Sequence, residues 1–107
     1  MNENQKYFDY VVRRLDKRTI LEQLAEEASE LTKASLKLIR SENFSNNFTP
    51  ITKEESIKNL NEEIDDIRMI ILVLRTRYDE LQSIPNDSDI LNNSKWERWA
   101  KRLGYVE

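Results

Sequence analysis

Apolar residues along this chain recur at steps of three and four, the spacing of one face of a helix, and nowhere sustain the strict alternation of a strand. Between Asn4 and Leu15, the residues Tyr7, Phe8, Val11, Val12 and Leu15 share such a face and predict a short first helix. Asp16 to Arg18 reads as a turn. Thr19-Ile20-Leu21-Glu22 then matches a capping box, in which a Thr hydroxyl and a Glu carboxylate satisfy free backbone N–H groups at a helix start. The long second helix predicted to follow carries a seam of Leu21, Leu24, Ala28, Leu31, Ser35 and Leu38. From Ser41 to Pro50 the run SENFSNNFTP is rich in Asn and Ser, which compete for backbone hydrogen bonds, and predicts the main loop. Thr52-Lys53-Glu54-Glu55 is a second capping-box match. It opens a third helix with a seam of Ile57, Leu60, Ile64, Ile67, Ile71, Leu74 and Tyr78, ending near Gln82. After a second loop, SIPNDSDILNN, a third match at Ser94-Lys95-Trp96-Glu97 opens a short helix closed by Gly104. Trp96, Trp99 and Leu103 give that helix a docking face.

The pattern therefore predicts an all-α fold, an antiparallel bundle of two long and two short helices. With 107 residues there is room for one domain and one small core, with about 19–82 as its central part and a C-terminal helix over about 95–103. One Gly and two Pro leave a meander of short strands without its usual turn residues. In the third helix, Met69, Ile70, Leu72 and Val73 spread apolar surface around most of the circumference. Such a helix needs neighbours on several sides, supplied either by the two short helices or by partner subunits, and a homodimer or homotetramer that completes the bundle is the expectation.

Charge narrows the function classes. Seventeen bases against 20 acids give a net charge of −3, interspersed, with no basic field for a nucleic-acid polymer. The chain has no Cys and no His, so thiolate and imidazole chemistry are both excluded, and any reaction must run on carboxylates, bases and water. The longest apolar run, Met69 to Leu74, is far too short for a membrane span, and the first residues lack an apolar stretch of signal-peptide length. A cytoplasmic location without membrane partners is expected.

The acids are not evenly scattered. Leu24-Ala25-Glu26-Glu27-Ala28-Ser29-Glu30-Leu31 matches Leu60-Asn61-Glu62-Glu63-Ile64-Asp65-Asp66-Ile67 position by position. At about 100° per residue, Glu27 lies roughly 60° from Leu24 around the axis and Glu30 roughly 120°, and Glu63 and Asp66 repeat this relative to Leu60. Glu30 is eleven residues before Ser41, and Glu63 eleven after Thr52. In an antiparallel hairpin both pairs thus stand about 16 Å from the loop and can converge across the interface. A single pair of acids spaced i,i+3 is ordinarily a solvated face; equal flank and equal height on two helices is more than solubility requires. Four converging carboxylates call for protons or a multivalent cation, and oxygen-only ligands select hard ions such as Mg²⁺ or Mn²⁺.

Over approximately Ile20 to Leu74, these residues resemble the signature of the MazG-like all-α nucleoside triphosphate pyrophosphohydrolases: EExxE at Glu26-Glu27-Ala28-Ser29-Glu30, then ExxD at Glu63-Ile64-Asp65-Asp66. The surrounding sequence is similar to short stand-alone members from bacteria or their phages, with a somewhat longer loop between the motifs. The resemblance implies that Glu27, Glu30, Glu63 and Asp66 coordinate Mg²⁺ while Glu26 supports the site or orients water. It also implies a reaction in which metal-activated water splits a nucleoside triphosphate into the monophosphate and pyrophosphate. Lys37, two turns beyond Glu30, and Arg77, three turns beyond Asp66, are candidate phosphate contacts or else ordinary solvated bases. Phe44 and Phe48 either close over a substrate or anchor their loop. The competing reading is a non-catalytic helical interaction or sensor module. A ferritin-like di-iron site is set aside because that design requires Glu-x-x-His.

Overall fold

The computed structural model describes residues 2–42, 51–78 and 90–107, and within them the only regular elements are helices. They are α1 (Glu3–Arg14), α2 (Lys17–Ser41), α3 (Lys53–Arg77) and α4 (Lys95–Arg102). The long helices α2 and α3 pack along one another, and α1 lies against α3. The hairpin is antiparallel: Ile20 near the start of α2 clusters with Val73 and Leu74 near the end of α3, while at the other end Lys53 Nζ lies 3.5 Å from Glu42. Phe8, Val12 and Leu15 of α1 pack onto the first cluster beside Leu24, Ile70 and Tyr78. Tyr7 and Val11, expected on the same face of α1, are exposed.

The helix boundaries follow local chemistry. At the start of α2 the cap is Asp16, not Thr19. The Asp16 carboxylate accepts the Thr19 backbone N–H at 2.8 Å, so the expected turn residues Lys17 and Arg18 already belong to the helix. Asp outranks Thr as a cap because its charge also meets the positive end of the helix dipole. At α3 the expected cap holds, with Thr52 Oγ1 accepting the Glu55 N–H at 3.1 Å. α3 closes at Arg77, short of Gln82: Tyr78 turns extended while its N–H still reaches Leu74. Ser94 makes no side-chain cap at α4; the neighbouring Asn93 accepts the Lys95 N–H instead. Gly104 does close α4, at φ 102°, with its N–H on Lys101 and the Tyr105 N–H on Ala100, a pairing that only a left-handed residue between them permits. Most of the two expected loops, with Phe44 and Phe48, lies outside the described residues.

The hairpin seam is rotated from its predicted position. Ile20, Leu24, Glu27, Leu31, Ala34 and Leu38 turn inward on α2, and Ser56, Leu60, Glu63, Ile67, Ile70 and Leu74 on α3. Leu21, Ile57 and Ile64, expected in the seam, are 39–43% exposed, and Ala28 is exposed too. Each helix offers two apolar stripes that share one edge, and the hairpin buries the stripe that carries the acids. Among the described residues the buried set is consequently small: Ile20, Ala34, Val73, Leu74 and the hydroxyl-bearing Ser56. Trp96, Trp99 and Leu103 of α4 are exposed, so their expected docking face is uncovered by the described residues. The two indoles stack on each other at 5.4 Å, and Trp96 Nε1–H donates to the Ile90 carbonyl at 2.7 Å.

Candidate metal centre

Rotation of the seam decides where the acids stand. Glu27 and Glu63 take inward positions at mid-height of the hairpin and are half-buried, with Asp66 exposed one turn beyond Glu63. One carboxylate oxygen from each of Glu27, Glu63 and Asp66 comes within 4.8 Å of the other two. Gln23, one turn before Glu27 on α2, donates from Nε2 to its carboxylate at 3.0 Å and holds it toward the interface.

Glu63 is the centre of this group. Its Oε2 is sealed from solvent and has no hydrogen-bond partner. Burial pushes its carboxyl above the ordinary value of 4.5, the charges of Asp66 and Glu27 push the same way, and so do a hydrogen bond shared with Glu27 and the charge of Glu30. Without an ion, Glu63 therefore keeps its proton to a higher pH than an isolated acid would. The arrangement is a set of oxygen donors in want of positive charge.

The remaining sequence candidates are placed differently. Glu30 is on the correct flank, but its carboxylate turns outward to Lys33 Nζ at 3.3 Å, both side chains more than half exposed. Glu26 is exposed, about 100° around α2 from Glu27. Lys37 is exposed two turns beyond Glu30. Arg77 is engaged elsewhere: its guanidinium donates to the Val12 carbonyl at 3.0 Å and lies over the Tyr78 ring, eleven residues or about 16 Å along α3 from Asp66. It ties α1 to α3 rather than facing the acids. Gln23 was not anticipated, although an amide four residues before a Glu on one helix face is a readable signal for such a contact.

No family model, no curated protein and no solved structure matches this chain. Among the described residues, no helix is long and apolar enough to cross a membrane.

Proposed function

We propose that the chain is a magnesium-dependent nucleotide pyrophosphohydrolase of the MazG-like kind, converting a ribo- or deoxyribonucleoside triphosphate to the monophosphate and pyrophosphate. The observation that carries the reading is the meeting of Glu27, Glu63 and Asp66 from two helices around an oxygen of Glu63 that nothing satisfies. A buried acceptor left without a partner costs stability, and a cation placed there removes the cost. The donors are all oxygen, which fits Mg²⁺, with Mn²⁺ as substitute, and not the softer metals.

Glu27, Glu63 and Asp66 would hold the ion, and Glu30 would join them on releasing Lys33. When bound, Mg²⁺ screens the phosphate charge and lowers the pKa of water beside it. Glu26 is assigned the support of the site and a share in accepting the proton from attacking water, since no imidazole or thiol exists to do so. Lys37 is assigned to steering phosphate. The reading includes a cytoplasmic setting, a bacterial or phage origin, and assembly into a homodimer or homotetramer that covers the exposed apolar surface.

Two observations favour a second reading, a non-catalytic interaction or sensor module of the same fold: the Glu30 pairing with Lys33 and the breadth of uncovered apolar surface. Product analysis separates the two. Purified protein is incubated with a panel of nucleoside triphosphates, with Mg²⁺, with chelator, and as Glu63→Gln. Monophosphate and pyrophosphate formed only with metal and wild-type chain establish the enzyme and name its substrate. Survival of every nucleotide at high protein concentration would leave the module reading in its place.

A further inference from the structure

The C-terminal unit carries an amphipathic surface built from its own residues. On α4, Trp96, Trp99 and Leu103 recur at steps of three and four, and with Ala100 they fall within about 100° around the axis. Lys95, Arg98 and Arg102 recur at the same steps along the adjoining flank, with Lys101 beyond them. Trp96 and Trp99 are 43% and 53% exposed, Leu103 79% and Val106 85%. Four bases stand against one acid, Glu97, in this eight-residue helix, in a chain whose acids outnumber its bases by 20 to 17. Glu97 is itself paired with Lys101 at 2.9 Å.

Polar groups beside this surface are satisfied from within the unit. Trp96 Nε1–H donates to the Ile90 carbonyl at 2.7 Å, the Asn93 side-chain oxygen accepts the Lys95 N–H, and the turn at Gly104 returns N–H groups to the Ala100 and Lys101 carbonyls. The surface can therefore leave water without stranding that indole donor or those carbonyls, a cost that would otherwise oppose entry into an apolar medium. The two indoles cover part of each other's faces, with centroids 5.4 Å apart and planes 6° from parallel. A nucleic-acid strand needs open ring faces on which its bases stack, and the aliphatic Leu103 and Val106 give it nothing. An apolar medium bounded by negative charge uses every feature: indole and aliphatic side chains enter it, and the flanking Lys and Arg meet the charge.

We infer that α4, with the residues that follow it, rests on an anionic lipid surface. Trp96, Trp99 and Leu103 lie in the boundary between headgroups and acyl chains, and Lys95, Arg98 and Arg102 lie on the lipid phosphates. Trp is a side chain that this boundary favours, and each Lys or Arg near the surface adds to the attraction. At about 12 Å, α4 is short for such a helix, so attachment is reversible and needs the indoles and the bases together. The expectation of no membrane partner came from the lack of a span, and a helix lying on the surface needs none. The inference goes beyond the enzyme reading and does not rest on it.

Trp96 and Trp99 are the only tryptophans in the chain, so native fluorescence reports on α4 alone. Full-length protein in chelator is titrated with vesicles of phosphatidylcholine, and with vesicles of an equal mixture of phosphatidylcholine and phosphatidylglycerol. The mixture is expected to shift Trp emission to the blue and to carry protein into the vesicle pellet at least about tenfold more strongly, a difference lost in about 1 M salt. Trp99→Ala should weaken pelleting by about tenfold or more while Trp96 still reports. Arg98→Glu combined with Arg102→Glu should abolish the preference for phosphatidylglycerol. Should α4 fail to form in Trp99→Ala, this charge reversal, which keeps both indoles, decides alone. Glu63→Gln should bind vesicles as wild type does, which keeps the test apart from the product analysis. Unshifted emission with both vesicles, equal binding to both, or a shift produced by a single-stranded oligonucleotide and not by vesicles overturns the inference.

Discussion

Glu27 and Glu63 face each other from α2 and α3 at seam positions where the surrounding pattern places Leu24, Leu31, Leu60 and Ile67, so two acids occupy the middle of a mainly apolar interface. Like charges so placed oppose the packing around them, and a proton or a cation removes the opposition.

Replacing the central acid is expected to separate stability from binding. Without metal, Glu63→Gln should melt a few degrees above wild type, because it removes the group whose ionisation the fold disfavours. Adding Mg²⁺ should raise the melting temperature of wild type and leave the variant unchanged. Differential scanning calorimetry in chelator and in Mg²⁺ checks both halves.

The pH dependence has a definite sign. A carboxyl raised above 4.5 in the folded chain binds more protons folded than unfolded, so its contribution is full below 4.5 and is lost as pH climbs through the raised value. Metal-free protein should therefore lose stability upward from about pH 4.5, and Mg²⁺ affinity should rise over the same interval as proton and ion compete. Asp16 has the opposite sign. Hydrogen bonds from Thr19, side chain first and backbone second, hold it below the ordinary value, so its contribution is present above 3.8 and lost as pH falls through the lowered value. Chelator melting curves across pH, for wild type and Glu63→Gln, isolate the first effect.

Freeing Glu30 should favour the ion. Lys33→Ala removes the exposed partner that draws Glu30 outward, and Mg²⁺ affinity is expected to rise by less than about fivefold, the worth of an exposed pair. Gln23→Ala should act the other way, weakening binding about tenfold through loss of the amide that orients Glu27. Isothermal titration of the two variants gives opposite shifts if the contacts act as described.

The corrected cap of α2 is also open to test. Asp16→Ala should lower the melting temperature on the order of 5 °C, and Thr19→Val, which loses the side-chain hydrogen bond to Asp16 but retains the backbone N–H that Asp16 receives, by less. If Thr19 were the cap, the order would reverse.

The helical class, the two long partners, the Thr52 cap and the Gly104 stop were legible because each rests on chemistry within a few residues. The choice between Asp16 and Thr19 was not, since both are good caps three residues apart and the winner depends on where the preceding turn points. The seam rotation was obscured for a different reason: a pattern that scores apolar side chains prefers Ile64 to Glu63 and Ala28 to Glu27. Two stripes sharing Leu24, Leu31 and Leu38 cannot be ranked without knowing what covers the outer one. For the site, equal height and flank anticipated four converging acids, and three of them, Glu27, Glu63 and Asp66, meet. The rotamer that sends Glu30 to Lys33 and the contact that takes Arg77 to Val12 are tertiary choices that spacing does not encode.

With apolar anchors at both ends, Ile20, Val73 and Leu74 at one and Ala34 at the other, and acids between them, the hairpin resembles a clasp fastened at its tips. Ordinary helices fray from their termini inward. Here, in the absence of a cation, the mutual repulsion of Glu27, Glu63 and Asp66 makes the waist the place where the two helices part most easily. Amide exchange at the waist should then slow when the ion binds, so that one charge tunes the breathing of the whole pair.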